Sequence, residues 1–202
     1  LAAYGGVVFP IALIVESPII MLLAASTALS KDYVSYRKLW GFMMWTSAIL
    51  TGIHILVAFT PLYYPIVVGV MGAEPEIVEP ARIGLMIMLP WTWAIAYRRF
   101  NQGMLIRFGH ARAVSAGTFI RLAGNLTILM IGYRIGTLPG IVVATSAVAV
   151  GVTLEAVFVG FRIKPVVRDE LRFAPPVDPP LKWRAFYDFY IPLALTSLLT
   201  LI

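Results

Sequence analysis

The sequence predicts an all-α, polytopic membrane protein, and three observations support this fold class. Hydrophobic residues make up 60% of the 202 residues, and charged residues make up only 13%, about half the share that is typical of soluble domains. The mean hydropathy is +0.87. Several apolar stretches approach the roughly 20 residues that a helix needs to cross a bilayer.

Five apolar stretches are long enough to be transmembrane helices, and polar residues or prolines follow them. We expect these helices at about residues 4–29, 39–60, 83–106, 113–133 and 138–161. The first gives way to Ser30-Lys31-Asp32, and Pro61 ends or bends the second. The third contains Arg98-Arg99 and further polar residues, so its last two turns must face protein or water. A tight turn at Gly136–Gly140 separates the last two.

The rest of the chain is a connector followed by the start of another helix. Residues 162–184 are rich in charge and contain two proline pairs, so we expect a solvated linker there. Residues 185–202 are apolar again and begin a further helix, with Pro192 near its start. Because the chain begins at Leu1 and ends inside an apolar run, we expect it to be a fragment of a longer protein.

The positive charges are concentrated on one side of the membrane. If successive loops alternate between the two sides of the membrane, 13 of the 16 Lys and Arg residues lie on the side at which the first helix ends. Two lie on the other side, and Arg121 lies within a predicted membrane segment. Such a bias indicates the cytoplasmic side. We expect an integral, multi-pass protein of the plasma (inner) membrane. The cytoplasmic loops are then 30–38, 107–112 and 162–184.

The composition and the missing motifs argue against several classes of function. The chain has no cysteine, which excludes disulfides, thiolate metal sites and thiol catalysis. Its two histidines, His54 and His110, match no metal-ligand spacing, so we expect no metal and no cofactor. The chain contains no HExxH motif, no GxSxG motif and no paired aspartates, which would have indicated an enzyme. It also contains no repeated pore motif, which would have indicated a channel. The loops account for the net charge of +6, so we expect no nucleic-acid partner.

Four ionisable residues lie inside the predicted membrane segments, where each costs about 2.5 to 3.5 kcal/mol without a partner or water. At a rise of about 1.5 Å per residue, Glu16 and His54 lie near the midplane. Arg121 and Glu155 lie nearer the cytoplasmic side. We expect Glu16 and His54 to be in contact, either as a proton relay or as a structural pair in which each is the polar partner of the other. We expect Arg121 and Glu155 to pair, either structurally or as a coupling element.

Small and polar residues form stripes along three of the predicted helices. The stripes consist of Gly117, Arg121, Gly124, Asn125, Ile128 and Gly132; of Ser47, Thr51 and His54; and of Ala94, Arg98, Asn101 and Gln102. Such stripes face protein rather than lipid, and three of them can line one cavity. Arg98 and Arg99 either extend to the cytoplasmic headgroups or form an anion site.

Several short motifs occur in an order and spacing found in one transporter superfamily. They are Leu1-Ala2-Ala3-Tyr4-Gly5, Leu29-Ser30-Lys31-Asp32, Gly72-Ala73-Glu74-Pro75-Glu76, a helix with central Pro90, Arg107-Phe108-Gly109, Gly136 to Thr145, and Pro192-Leu193-Ala194-Leu195. In these motifs the chain resembles the first half of the multidrug and toxic compound extrusion (MATE) and polysaccharide flippase superfamily. The first motif, with Ser30-Lys31, is also similar to the progressive ankylosis protein-like branch, which exports anionic metabolites.

The resemblance implies a fold and a function. It implies a two-lobe bundle of about twelve helices built from two repeats. Residues 1–161 then supply helices two to six, and residues 185–202 begin helix seven. The implied function is secondary active transport by alternating access rather than enzymatic catalysis.

The expected substrate class rests on two arginines by which this chain differs from the drug-exporting members of the superfamily. Arg98 and Arg99 favour an anionic or phosphate-bearing substrate over an organic cation. The alternatives are a cation-coupled multidrug efflux antiporter, with H⁺ or Na⁺ as coupling ion, and a lipid-linked oligosaccharide flippase. The expected partners are the lipid bilayer, a small-molecule or lipid-linked substrate, and the missing N- and C-terminal parts of the chain itself.

Overall fold

The computed structural model describes residues 2–199, which form helices and no strands. The α-helices are α1 (Phe9–Ile20), α2 (Leu22–Leu29), α3 (Tyr33–Phe59), α4 (Pro75–Ile87), α5 (Leu89–Arg107), α6 (Ala111–Ile135), α7 (Gly140–Asp169) and α8 (Trp183–Leu199). Short π-helical segments at Tyr4–Val8 and Pro65–Val70 precede α1 and α4, and a 3₁₀ turn at Leu171–Phe173 follows α7. The all-α class is therefore as predicted.

Four helical segments are long and apolar enough to cross a membrane. They are Tyr4–Leu29, which contains α1 and α2, and Tyr33–Phe59, Ala111–Ile135 and Gly140–Phe173. They coincide with four of the five predicted transmembrane segments. The prediction of a membrane protein with several apolar helices is confirmed to this extent.

The predicted segment at residues 83–106 differs from the structure. Its helical region begins earlier, at Pro75, and is divided into α4 and α5 at Met88. The division follows from Pro90, which is tolerated in the first turn of a helix but disfavours helical backbone just before it. Helix α5 is not one of the four apolar spans, since Asn101 and Gln102 as well as Arg98-Arg99 make it less apolar. It packs against α1, α2, α3, α6 and α7.

The predicted linker at residues 162–184 is helical in its first part. Helix α7 continues to Asp169, eight residues beyond its predicted end at residue 161. Charge keeps a segment out of lipid but does not prevent a helix, and Ile163 and Val166 continue the buried face of α7. Helix α8 then begins at Trp183 rather than at residue 185.

Helices α6 and α7 pack closely because small residues lie between them. A Cβ atom added at Gly124 would lie 2.8 Å from Leu154, and one added at Gly132 would lie 2.4 Å from Val143. Both glycines belong to the predicted stripe on α6, which therefore faces protein, as predicted. Small residues allow membrane helices to approach and gain packing contacts.

A second close crossing joins α2 to α5. A Cβ atom added at Gly103 would lie 2.3 Å from the carbonyl oxygen of Leu23. The Thr27 hydroxyl donates to the Gly103 carbonyl at 3.1 Å, and Arg107 Nη1 donates to the Thr27 carbonyl at 2.7 Å. The bond from Arg107 satisfies a carbonyl in the last turn of α2, where helical partners are lacking. These contacts fix the rotation of α5 about its axis.

Three loops meet at one end of the bundle. His110 Nε2 lies 2.8 Å from Glu170 Oε1, so the turn after α5 contacts the segment after α7. The Asp32 carboxylate accepts a hydrogen bond from the N–H of Val177 at 2.9 Å. We call this the basic end, because the loops that carry most of the Lys and Arg residues meet there.

Asp32 joins the connector between α7 and α8 to the start of α3. As the N-cap of α3 it also accepts from the N–H of Ser35 at 2.8 Å. Burial raises the pKa of the Asp32 carboxyl, but the hydrogen bonds from Ser35 and Val177 outweigh burial and hold the pKa below its usual value. Lys38 donates to the Leu181 carbonyl. The connector is therefore docked on α3 rather than fully solvated.

Helix α8 is held by aromatic contacts. The ring of Phe42 on α3 lies 4.7 Å from that of Phe186 and 5.2 Å from that of Tyr190, measured between centroids. The Tyr190 hydroxyl donates to the carbonyl of Pro18, which lies inside α1. Helix α8 is thus anchored on both α1 and α3.

Candidate functional site

Glu155 on α7 is the centre of a buried polar network. Its side chain is completely buried. Arg98 Nη1 donates to Glu155 Oε2 at 2.7 Å, and Gln102 Nε2 donates to Glu155 Oε1 at 2.9 Å. Arg98 and Gln102 lie one helical turn apart on α5, so both reach the same carboxylate.

The predicted pair of Arg121 and Glu155 is present in the structure. Arg121 Nε lies 3.1 Å from Glu155 Oε2, although it is not aligned as a hydrogen bond. Thr118, on the same helix, is 3.5 Å from Glu155 Oε1. A Cβ atom added at Gly117 would lie 3.3 Å from Glu155 Cγ, so glycine brings α6 close enough for these contacts.

Glu16 on α1 belongs to this network and not to His54. It interacts electrostatically with Arg99, Arg98 and Arg121, and it makes no hydrogen bond or ion pair with His54. The predicted contact between Glu16 and His54 is therefore wrong. Depth along a helix does not determine the direction in which a side chain points, and these two point to different neighbours.

His54 is fully engaged by groups at the break between α4 and α5. Its Nε2 lies 2.9 Å from the Leu85 carbonyl oxygen, and its Nδ1 lies 3.1 Å from Thr92 Oγ1. A carbonyl can only accept, so Nε2 carries the proton and Nδ1 of the neutral ring accepts from Thr92. The Leu85 carbonyl lies in the last turn of α4, where helical partners are lacking. His54 therefore joins α3 to this break.

Arg99 is the arginine of the network without a direct partner. It lies about 100° around α5 from Arg98, so the two guanidinium groups cannot share one direction. Arg99 is half-buried, and among residues 2–199 it makes no hydrogen bond and no ion pair within 4 Å. It interacts electrostatically with Glu16 and Glu155 and with the two other arginines.

We call the five charged groups the arginine cluster. They are Arg98, Arg99, Arg121, Glu16 and Glu155. Three formal positive charges and two formal negative charges leave one positive charge in excess. The Nε atom of each arginine is buried without a hydrogen-bond partner, as is Oε1 of Gln102. Glu16, Arg99 and Arg121 are partly exposed, so the cluster has an open side.

The arginine cluster lies two to three helical turns away from the basic end. Counted from helix ends at the basic end, Arg99 is 8 residues from Arg107, and Arg121 is 10 residues from Ala111. At about 1.5 Å per residue these distances are roughly 12 and 15 Å. The hydrocarbon core of a bilayer is about 30 Å thick, so a bilayer that α6 crosses from the level of the basic end would enclose the excess charge.

Besides His54 and Gln102, two further predicted site residues lie outside the five charged groups of the cluster. Asn101 is buried, and its Nδ2 donates to the carbonyl of Tyr97 on its own helix at 2.9 Å. With its nitrogen turned toward α7, Asn125 donates to the Ala147 carbonyl at 2.8 Å and to the Arg121 carbonyl at 3.1 Å. Asn125 thus joins α6 to α7.

The sequence predicted most of the cluster but distributed its residues over separate sites. It paired Glu16 with His54, gave Arg99 no role distinct from that of Arg98, and did not single out Thr92 or Thr118. The 100° step between adjacent helical residues was the signal that separates Arg98 from Arg99. Thr118 lies one turn from Arg121 and could have been found from the same helical face.

Comparison with known proteins gives no match: no family model fits the chain, and no curated protein or solved structure is significantly similar to it. Within residues 2–199, no group of three or more His, Asp or Glu side chains could hold a metal ion.

Proposed function

We propose that the chain is part of a secondary active transporter, and not an enzyme, that moves an anionic or phosphate-bearing substrate by alternating access. The observation that supports this function is the arginine cluster, which has one excess positive charge and lies roughly 12 to 15 Å along the helices from the basic end. The order of the sequence motifs, which resembles that of the MATE and flippase superfamily, supports the architecture.

The energetics of the cluster favour an anionic ligand. A charge at the centre of a membrane helix costs about 2.5 to 3.5 kcal/mol on insertion scales. Arg98 is compensated by Glu155, but no carboxylate of residues 2–199 lies within 4 Å of the Arg99 guanidinium. A bound carboxylate or phosphate would balance the excess charge and accept from the free donors. Arg99 and Arg121, which are partly exposed, are the proposed contacts, and Arg98 positions Glu155.

A cation-coupled antiporter is the second candidate, and Glu16 supports it. Glu16 is partly exposed in the apolar segment Tyr4–Leu29, and it makes no hydrogen bond or ion pair with any described residue of the chain. Such a carboxylate can take up H⁺ or Na⁺ during a transport cycle. In this case the arginines compete with the coupling ion for Glu16.

Uptake into liposomes that contain the intact protein tests the proposal. The probes are citrate, inorganic pyrophosphate, a polyprenyl phosphate and the lipophilic cation tetraphenylphosphonium. We expect an anionic probe to be transported, and Arg99→Gln to weaken its binding about tenfold or more, since hydrogen bonds to charged groups contribute about 1.5–3 kcal/mol. Arg162→Gln, an exposed arginine on α7 outside the cluster, is the matched control and should behave as wild type.

The outcomes separate the candidates. Transport of the cation alone, with loss in Glu16→Gln and no effect of Arg99→Gln, would favour the cation-coupled antiporter. Transport of the polyprenyl phosphate alone would favour a flippase. Wild-type anion transport in Arg99→Gln would show that the cluster is a structural network and would overturn its role as the substrate site.

A further inference from the structure

A long groove runs between α5 and α7, and none of the charged residues of the arginine cluster lines it. Its central part is a cavity of about 510 Å³ whose lining includes Pro90, Trp93, Ala94, Tyr97, Ala156 and Gly160. A second cavity, of about 380 Å³, leads toward the basic end. The two cavities share Tyr97, Gly160 and Lys164, so they form one continuous groove.

The groove exists because small residues form its floor. Ala94 on α5 and Ala156 and Gly160 on α7 leave space between the two helices. Tyr97 packs directly on Gly160, where an added Cβ atom would lie 2.9 Å from the tyrosine hydroxyl. Beside this floor, Val157 is 51% exposed, so the groove is apolar and open at the side of the bundle.

The length of the groove matches one leaflet of a bilayer. From Thr153 to Lys164, α7 advances 11 residues, or roughly 16 Å. Half of the hydrocarbon core is roughly 15 Å. One acyl chain can therefore lie along the groove from the membrane centre to the level of Lys164.

The basic end of the groove carries two cations without a carboxylate partner among residues 2–199. Lys164 Nζ lies 4.8 Å from the centre of the Phe161 ring, and the Arg172 guanidinium lies 5.7 Å from that of Tyr33. Neither forms an ion pair within 4 Å. Both line the second cavity.

Two neighbours complete the rim of the second cavity. Arg168 also lines it, but both carboxylate oxygens of Asp169 already bind its guanidinium, at 2.6 and 2.8 Å. Trp40 is 39% exposed there, and tryptophan is enriched at the membrane interface. The rim therefore combines two unpaired cations with an interfacial aromatic residue.

We propose that this groove binds one glycerophospholipid with an anionic headgroup. One acyl chain lies against Ala94, Ala156 and Gly160, and the phosphate lies between Lys164 and Arg172. Any lipid can supply an acyl chain, so the charge of these two residues selects the headgroup. The proposal does not depend on the transport function, because the groove and the arginine cluster use different charged residues.

Fluorescence quenching by brominated lipids tests the site, because Trp93 lines the groove. The intact protein is prepared with Trp93 as its sole tryptophan in this chain and reconstituted in mixtures of brominated phosphatidylglycerol and phosphatidylcholine. A second protein keeps only Trp45, which is 74% exposed and lines neither cavity, as a reporter of bulk lipid.

We expect phosphatidylglycerol to be preferred about 25-fold at Trp93 and hardly at all at Trp45, since each basic residue near anionic lipid contributes about fivefold. Lys164→Gln with Arg172→Gln should abolish the preference. Arg162→Gln with Arg112→Gln, which removes two exposed charges from the same end, should retain it.

Several results would overturn the proposal. Equal quenching of Trp93 by both lipids, or none by either, would show that no anionic lipid is selected there, for example because another helix covers the groove. If both double variants lost the preference for phosphatidylglycerol equally, the preference would depend on the overall positive charge and not on Lys164 and Arg172. Relief of quenching by millimolar inorganic phosphate would show that the cations bind a soluble anion instead.

A filled groove gives an independent test. Val157→Trp should displace the chain and reduce the number of phosphatidylglycerol molecules retained in native mass spectrometry by one. Leu122→Trp, at a 52% exposed position on α6 outside the groove, should leave the number unchanged. Unchanged retention in Val157→Trp would contradict the proposal.

Discussion

Arg98 and Glu155 form a hydrogen-bonded ion pair of 2.7 Å in which both side chains are almost completely buried. This contact lies between α5 and α7, and Arg121 approaches the same carboxylate from α6 at 3.1 Å. One carboxylate therefore joins three helices. Its two arginines differ in burial, because the Arg98 side chain is 5% exposed and that of Arg121 is 33% exposed.

This difference predicts unequal coupling energies. Removing one partner of a buried ion pair costs about 3–5 kcal/mol because it leaves an uncompensated charge. In double-mutant cycles we expect Arg98→Gln and Glu155→Gln to couple by at least about 2 kcal/mol, and Arg121→Gln and Glu155→Gln by about 1 kcal/mol. Unfolding of the reconstituted protein in mixed micelles provides the measurement.

A distant arginine provides the control for these cycles. Arg134 lies at the opposite end of α6, so Arg134→Gln should be additive with Glu155→Gln within about 0.5 kcal/mol. Additive losses for Arg98 and Glu155 would show that the buried pair contributes no coupling.

His54 should act independently of Glu16. Both of its ring nitrogens are engaged, by Leu85 and Thr92, so Glu16→Gln and His54→Gln should be additive within about 0.5 kcal/mol. His54→Gln and Thr92→Val should instead couple by about 0.6 kcal/mol, the average for hydrogen bonds between membrane helices, and by no more than about 1.7 kcal/mol. The same unfolding assay distinguishes them, and coupling between Glu16 and His54 would contradict this geometry.

The sequence predicted the apolar helices well because apolar length is a local property. It could not predict the division of α4 from α5 at Met88, since a proline near a helix start is compatible with either a break or a kink. It also placed the end of α7 too early. Charged residues such as Arg162 and Arg168 mark the end of the apolar stretch, but they remain part of the helix.

The sequence gives the position of each site residue along its helix and the helical face on which it lies, and the candidate site could be predicted only to that extent. Arg121 and Glu155 share a depth and do meet. Glu16 and His54 also share a depth, but Glu16 lies near the arginines of the cluster, whereas His54 lies between Leu85 and Thr92. Such contacts involve residues distant in sequence, so no local pattern reveals which arginine remains unpaired.

Gly103 should tolerate no side chain. Its added Cβ would lie 2.3 Å from a backbone carbonyl of α2 and 2.0 Å from Ser26 Oγ, so Gly103→Ala should destabilise the protein by about 1–3 kcal/mol. Gly52→Ala is the matched control, because an added Cβ there meets nothing within 4 Å. That change should be neutral or stabilise by up to about 1 kcal/mol. Equal effects on unfolding would refute the close crossing.

Asp32 should make stability depend on pH in the acidic range. Because its pKa is lowered in the folded state, its contribution is complete above the unfolded value of about 3.9 and disappears as the pH falls through the lower folded value. Asp32→Ala removes the N-cap and should cost about 1 kcal/mol at pH 7. The difference in unfolding midpoint between wild type and variant should shrink toward pH 2.

Val34→Ala serves as a control for that pH dependence, because it changes an exposed side chain of the same turn but keeps the Ser35 and Val177 groups that bond to Asp32. Its difference from wild type should not vary between pH 7 and pH 3. A difference for Asp32→Ala that persists undiminished at pH 2 would show that the charged carboxylate is not what stabilises the turn.

The basic end should face the cytoplasm, because positive charge in short loops is retained on that side during insertion. The chain contains no cysteine, so single cysteines can report the side without further changes. Lys31→Cys and Arg168→Cys, at exposed positions of the basic end, should react with a membrane-impermeant maleimide only after the membrane is opened, whereas Glu76→Cys should react in intact cells. Labelling after the membrane has been opened shows whether each cysteine can react at all, and so controls for a thiol that is buried in the protein. Reaction of all three in intact cells would mean that these loops share one side, which is incompatible with α3 crossing the membrane between residues 31 and 76.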